Sequence, residues 1–83
     1  MARISIELRL NSILKKFGRE KGLGDNFALS VEEGTTLDQA REEVGIPPKW
    51  VGRFLKDGQP LRPEYKVAAG DVIEVLPPAI SGG

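Results

Sequence analysis

The residues best suited to chemistry are the last seven, Pro77-Pro78-Ala79-Ile80-Ser81-Gly82-Gly83. A terminal carboxyl, with an ordinary pKa of ~3.5, is ionised at neutral pH and is a poor electrophile, so it enters acyl chemistry only after activation. Carried into an enzyme that can activate it, Gly83 becomes an acyl donor. The residues before it suit that delivery. Neither proline has an N–H to give to a sheet ladder, so the pair ends the apolar run ahead of it and stiffens the exit. Beyond Leu76 an extended chain reaches roughly 23 Å at ~3.3 Å per residue, enough to enter another protein's active site. Gly82 and Gly83 lack a Cβ, which lets the backbone thread a narrow channel. Ile80 is the large apolar member of a small-residue segment and is expected to anchor the tail in a partner's groove. Pro77 and Pro78 are expected to set the exit direction and to lower the entropy lost when the tail docks. The same residues also fit a frayed end without function. The sequence in front of them separates the two readings.

Elsewhere the usual catalytic side chains are missing. The chain has no cysteine and no histidine. It therefore forms no disulfide, offers no thiolate nucleophile and has no Cys-based metal site. It also lacks the commonest general base. A self-sufficient enzyme is not expected, and no metal site is. Twelve basic residues balance twelve acidic ones, with one Trp, one Tyr and three Phe in 83 residues. That balance argues against nucleic-acid binding, which needs a basic excess and stacking aromatics. With 40% hydrophobic and 29% charged residues the chain reads as one globular domain of limited core. No apolar run approaches membrane-spanning length, and Met1 leads straight into an alternating segment, so a cytoplasmic protein is expected.

The elements that must position the tail can be read from periodicity. Ile4, Ile6, Leu8 and Leu10 alternate with polar residues, giving a first strand with one buried face, central in its sheet. From Asn11 to Asp25 an apolar and basic segment is interrupted by Gly18, Gly22 and Gly24, which reads as one or two helical turns inside a flexible connection. Lys15, Lys16, Arg19 and Lys21 form a positive cluster there, read as a solvated face with partner docking as the alternative. Phe27, Leu29 and Val31 form a second strand, antiparallel to the first. Thr35 is expected to cap a helix with Asp38 three residues on. Leu37, Ala40 and Val44 line that helix, Gly45 ends it, and Pro47-Pro48 bar its continuation. Asp57-Gly58 is a hairpin turn between Phe54-Leu55-Lys56 and Gln59-Pro60-Leu61. Tyr65 and Val67 dip toward the core from the loop of residues 62–69. Val72 to Leu76 is expected to be a strand buried on both faces and parallel to the first. Trp50 and Phe54 fit either a partner-facing patch or the core, with core packing favoured for at least one, and neither is assigned to the site.

Gly70-Asp71-Val72, then Leu76-Pro77-Pro78 leading to Gly82-Gly83, resembles the sulfur-carrier family of ubiquitin-like proteins. Its closest branch is the small subunit of molybdopterin synthase. The thiamine sulfur carriers share the Gly-Asp turn and the Gly-Gly end but usually lack the Pro-Pro pair. The pattern resemblance spans nearly the whole chain, while the specific motifs lie in its last fourteen residues. It implies an α+β fold of the β-grasp, ubiquitin-like type, a mixed sheet of four to five strands packed on one main helix. The expected division is a β-grasp domain over residues 1–76 and a flexible tail over 77–83.

The resemblance also implies a mechanism. An adenylating enzyme of the ubiquitin-activating type uses ATP to convert the Gly83 carboxylate to an acyl-adenylate, a persulfide sulfur displaces AMP, and the Gly83 thiocarboxylate donates its sulfur. In the molybdopterin branch the acceptor is the synthase large subunit, where the sulfur builds the dithiolene of the pterin cofactor. The chain itself binds no cofactor, since ATP and the sulfur donor belong to the activating partner. It is a carrier subunit rather than an enzyme, and a monomer when free. Pro77, Pro78, Ile80, Ser81 and Gly82 are the expected partner-binding residues. Thiamine or tRNA-thiolation carriers, a ubiquitin-like protein modifier and a plain interaction module remain as alternatives.

Overall fold

The alternation at the start of the chain folds as expected. In the computed structural model, which describes residues 2–78, the elements run β1 (Arg3–Leu10), α1 (Lys15–Glu20), β2 (Asn26–Glu32), α2 (Leu37–Val44), β3 (Arg53–Lys56), β4 (Gln59–Leu61) and β5 (Val72–Leu76). Short 3-10 turns at Ser12–Leu14 and Pro48–Trp50 precede α1 and β3. The five strands make one mixed sheet in the order β2-β1-β5-β3-β4. β1 is antiparallel to β2, with Leu8 opposite Phe27, and parallel to β5, with Leu8 opposite Ile73. β3 is antiparallel to β5, with Phe54 opposite Val75. A parallel pair needs a long crossover, and the chain between β1 and β5 supplies it with α2 included. This is the β-grasp architecture, with α2 as its main helix.

Alternation decides which sheet face is covered. Ile6, Leu8 and Leu10 of β1, Phe27 and Val31 of β2, Phe54 of β3 and Ile73 and Val75 of β5 are buried together with Leu37, Ala40 and Val44 of α2. Their neighbours along the strands, Ser5, Ala28 and Arg53 among them, are exposed. The expectation that β5 is buried on both faces is corrected on this point. Val72, Glu74 and Leu76 are only half-buried, because they alternate with Ile73 and Val75, which take the core side of the sheet with Leu37, Ala40 and Val44 of α2. A run of apolar residues therefore over-read the burial; parallel pairing to a single neighbour does not require two covered faces.

Two further expectations change in detail. The cap of α2 is Thr36, not Thr35. The Thr36 hydroxyl accepts from the Gln39 N–H and the Gln39 side chain accepts from the Thr36 N–H, a full capping box. Thr35 is committed elsewhere, its N–H to Glu32 and its carbonyl to the Val67 N–H. The connection after β1 is more ordered than expected. Leu14 is wholly buried in the core and Gly18 is buried within α1, where a Cβ would run into the Gly24 carbonyl, so the segment is held down by packing, while Gly22 and Gly24 take the positive φ of turns. Gly45 ends α2 with φ 88°, as expected. Asp57 and Gly58, at φ 52° and 77°, close the β3–β4 hairpin as the left-handed pair that a two-residue turn demands.

No helix among the described residues is long and apolar enough to cross a membrane.

Candidate functional site

The tail leaves from β5, so the site is built from the contacts that fix the two ends of that strand. At its start Asp71 is buried. Its carboxylate accepts from the Tyr65 hydroxyl at 2.9 Å and from the Ala68 N–H at 2.8 Å, and it meets Lys56 Nζ at 2.8 Å. Lys56 belongs to the β3–β4 hairpin, and Tyr65 and Ala68 to the loop before β5. One carboxylate therefore ties two segments, the hairpin and the loop, to the strand's origin. Burial by itself pushes the Asp71 carboxyl up, but the hydrogen bonds from Lys56, Ala68 and Tyr65 outweigh it and hold the group below the usual carboxylate value. The same contacts raise Lys56, chiefly through its bond to Asp71 and then through Tyr65. The backbone continues the clamp, with the Glu7 N–H donating to the Asp71 carbonyl at 2.8 Å and the Gly70 N–H to Ser5 at 2.9 Å.

At the other end two backbone donors hold the last strand residues. Asn11 N–H donates to the Val75 carbonyl at 3.1 Å, and Gly52 N–H donates to the Leu76 carbonyl at 2.7 Å. Beyond Leu76 the prolines offer no N–H, and the ladder stops. The chain then crosses Gly52 at very short range. A Cβ built on Gly52 would stand 2.5 Å from Pro78 Cα and 2.6 Å from the Pro77 carbonyl oxygen. Only a residue without a side chain lets the tail leave along this line. Gly52 is the functional residue that sequence pattern did not single out. Its signal was present, since a glycine inside an apolar run marks close approach of another backbone.

Beside this exit lies a groove of about 260 Å³ lined by Ser12, Ile13, Trp50, Pro77 and Pro78. Trp50 is half-buried and packs edge-on against Phe17, with ring centroids 5.9 Å apart at 65°. Lys16 Nζ sits 4.7 Å from the Trp50 ring centroid, in cation–π range. The two aromatics that the sequence left open thus part company. Phe54 is core and Trp50 flanks the tail root.

Of the expected site residues, Pro77 is half-buried and Pro78 exposed at the groove's rim. Ile80, Ser81, Gly82 and Gly83 lie outside the described residues, as does the flexible-tail expectation. Among the described residues no group of three or more His, Cys, Asp or Glu is placed to hold a metal ion. Among the described residues the arrangement is mechanical: Gly52 holds Leu76 and lets Pro77 and Pro78 cross it, with a groove next to them.

A sequence model of the family described as Mut7-C ubiquitin matches residues 3–81. No curated protein sequence matches the chain. The fold is similar to that of several solved structures. The solution structure of the HVO 2177 protein from Haloferax volcanii superposes with a TM-score of 0.76 at 16% identity, covering 96% of this chain and 88% of that one. The small archaeal modifier protein 1 of Haloferax volcanii gives a TM-score of 0.67 at 16% identity, covering 92% and 99%. A Pyrococcus furiosus protein given the name molybdopterin converting factor, subunit 1, gives the same TM-score of 0.67 at 16% identity, covering 92% and 99%. These likenesses establish a ubiquitin-like β-grasp, as the tail motifs led us to expect.

Proposed function

The chain belongs to the Mut7-C ubiquitin family, and from that membership we propose that it is a sulfur carrier whose Gly83 carboxyl becomes a thiocarboxylate and donates sulfur to build the dithiolene of molybdopterin. One observation carries the reading. The exit is built into the fold: Gly52 holds Leu76 and gives up its side chain so that Pro77-Pro78 can cross it, and the segment so aimed ends in Gly82-Gly83. Residues 1–76 act as the body and 77–83 as the delivering arm.

The chemistry belongs to the carboxyl and its partners. Within an adenylating enzyme of the ubiquitin-activating type, a Gly83 carboxylate oxygen attacks the α-phosphorus of ATP and pyrophosphate leaves. A partner's persulfide sulfur then attacks the acyl carbon and AMP departs. A second thiol attacks the partner's sulfur, releasing the Gly83 thiocarboxylate and leaving a disulfide. The acceptor is a molybdopterin synthase large subunit or its equivalent. ATP and the sulfur donor are substrates of the activating partner, and the chain's own side chains perform no acid or base step. They aim the tail. Ile80 and Ser81 seat it in the partner, with Gly82 giving the carboxyl access.

A second reading is favoured by one neighbour's name, since a modifier protein shares this fold. There the activated carboxyl is attacked by a lysine amine and an isopeptide bond forms. Deleting Gly82 and Gly83 tests the shared premise: sulfur transfer should be abolished with the thermal transition unchanged, and retained transfer contradicts the carrier reading. Conjugates of higher mass in cell extracts that vanish with the same deletion would assign the chain to the modifier reading instead.

A further inference from the structure

The two edges of the sheet are not built alike. At one edge β4 is three residues long with Pro60 in its middle, a short, proline-marked strand of the kind that resists pairing with another chain. At the other edge β2 runs for seven residues, Asn26–Glu32, with no proline, no lysine and no bulge in its register with β1. The Leu10 N–H donates to the Asp25 carbonyl and the Glu33 N–H to the Ala2 carbonyl, so the odd-numbered residues of β2 are the ones that exchange bonds with β1. Asn26, Ala28, Ser30 and Glu32 therefore turn their backbone groups outward, and all four are exposed. Two of the outward carbonyls are taken, Ser30 by the Arg3 guanidinium at 2.8 Å and Glu32 by the Thr35 N–H at 3.1 Å. The four outward N–H groups have no acceptor among the described residues.

At the Glu32 end of this edge lies an open depression of about 580 Å³ lined by Arg3, Glu32, Thr35, Gln39, Glu42 and Glu43. Three carboxylates stand there against one guanidinium, and that guanidinium is bonded to the Ser30 hydroxyl and carbonyl. Glu42 reaches Arg41 at 3.5 Å, while Glu32 and Glu43 make no ion pair among the described residues. We propose that the β2 edge is a strand-addition site for an extended, basic segment of another protein. The segment's backbone carbonyls accept from the outward N–H row, and its Lys or Arg side chains reach Glu32, Glu42 and Glu43. A main-chain ladder fits any extended segment and supplies affinity, whereas the acidic end selects among segments by charge. An acidic segment is repelled there. A second copy of the chain, paired antiparallel about Ala28, sets its Asp25 opposite Val31. That Asp25 is already paired with Arg19, so the couple brings no net positive charge to the glutamates. The site lies on a different strand from the one that leads to the tail and makes no use of Gly83.

The test uses the full chain labelled with nitrogen-15 and an eight-residue peptide of alternating valine and threonine with a lysine at each end. A second peptide carries glutamate in place of both lysines. The lysine peptide is expected to shift the amide signals of Asn26, Ala28, Ser30 and Glu32 saturably and to slow hydrogen exchange at the same four amides. The glutamate peptide is expected to do neither. Glu43→Lys is expected to weaken binding about fivefold. Glu74→Lys makes the same change in charge on β5, two strands away, and is expected to bind as the parent does. Ala28→Pro removes one outward N–H without touching the bonds to β1 and is expected to weaken binding about tenfold. The comparison of the two lysine variants stands whether or not Ala28→Pro folds. The proposal is overturned by unchanged exchange at the four amides, by equal binding of the glutamate peptide, or by equal losses in Glu43→Lys and Glu74→Lys. It is also overturned if the four amides become protected as protein concentration rises without peptide, which assigns the edge to a second copy. Gly83 takes no part in the assay, so this titration and the deletion test can each fail without the other.

Discussion

The backbone N–H of Gly52 donates to the carbonyl of Leu76 at 2.7 Å while its bare Cα lies under Pro78. The two residues are 24 apart in sequence by subtraction of their numbers, and together they convert the end of a central strand into an aimed exit. Leu76 is the last residue that the sheet holds, and Gly52 both holds it and makes room for Pro77 and Pro78.

Gly52→Ala is therefore the sharpest probe of the exit. The new methyl group would meet backbone atoms of Pro77 and Pro78 at 2.5–2.6 Å, and backbone cannot swing aside as a side chain end would. Overpacking of this kind costs roughly 1–3 kcal/mol, so the melting temperature is expected to fall while the fold persists. Loading of sulfur on Gly83 is expected to fall further than stability alone explains, because the tail leaves in another direction. Thermal melting and the rate of thiocarboxylate formation, measured on one preparation below its transition, separate the two effects.

Asp71 should make stability depend on acid. Its carboxyl is held below its ordinary value, so its contribution is present above the unfolded value of ~3.9 and is lost as pH falls through the lower folded value. Lys56 runs the other way. Its ammonium is raised, so its contribution is complete below ~10.4 and fades as pH rises through the higher folded value. Between these limits the pair is fully charged and stability should be flat with respect to it. Asp71→Ala is expected to cost roughly 1–3 kcal/mol at neutral pH, through the orphaned Ala68 N–H and Tyr65 hydroxyl, and to remove the acid-side slope in urea melts taken between pH 5 and pH 2.

Thr36→Ala removes the hydroxyl that accepts from Gln39 at 3.2 Å and should cost about 1 kcal/mol. Thr35→Ala is expected to cost clearly less, since the Thr35 groups in use are backbone ones. Chemical denaturation of both variants decides it, and an equal loss would return the cap to Thr35.

Phe54 and Trp50 should respond differently to truncation. Phe54 is 4% exposed at the centre of the core, so Phe54→Ala is expected to lose about 3–5 kcal/mol. Trp50 is half-buried, packing against the margin of the core and against Phe17, and it lines the groove. Trp50→Ser should therefore keep more of the stability and lose more of the partner contact, read as a raised KM for the activating enzyme with kcat retained.

How legible the molecule was depends on whether a feature is local. Alternation at Ile4 to Leu10 and at Phe27 to Val31, the Leu37-Ala40-Val44 stripe and the Asp57-Gly58 turn are signals carried within a few residues, and each produced its element. The cap was misplaced by one residue because Thr35 and Thr36 offer the same hydroxyl. Only the pairing of Thr35 with Val67, 32 positions on by subtraction, removes the ambiguity. Burial of β5 was over-read because an apolar run does not say which of its faces another layer will reach. Gly52, Asn11 and Asp71 act through contacts with distant residues, so their roles depend on the register of β5 and not on their own surroundings. The expected site residues Ile80, Ser81, Gly82 and Gly83 rest on the sequence motif alone.

The central claim is that Gly83 carries sulfur, and the intact mass of the protein tests it most directly. The protein is isolated without reductant from cells that also supply an active adenylating enzyme, and fragmentation locates any change. Replacing one terminal oxygen by sulfur adds ~16 Da, the same nominal shift as oxidation of Met1, which the fragment masses separate. A gain confined to Gly83 is the predicted result. An unmodified Gly83, with the same enzyme shown to load a known carrier, contradicts the account.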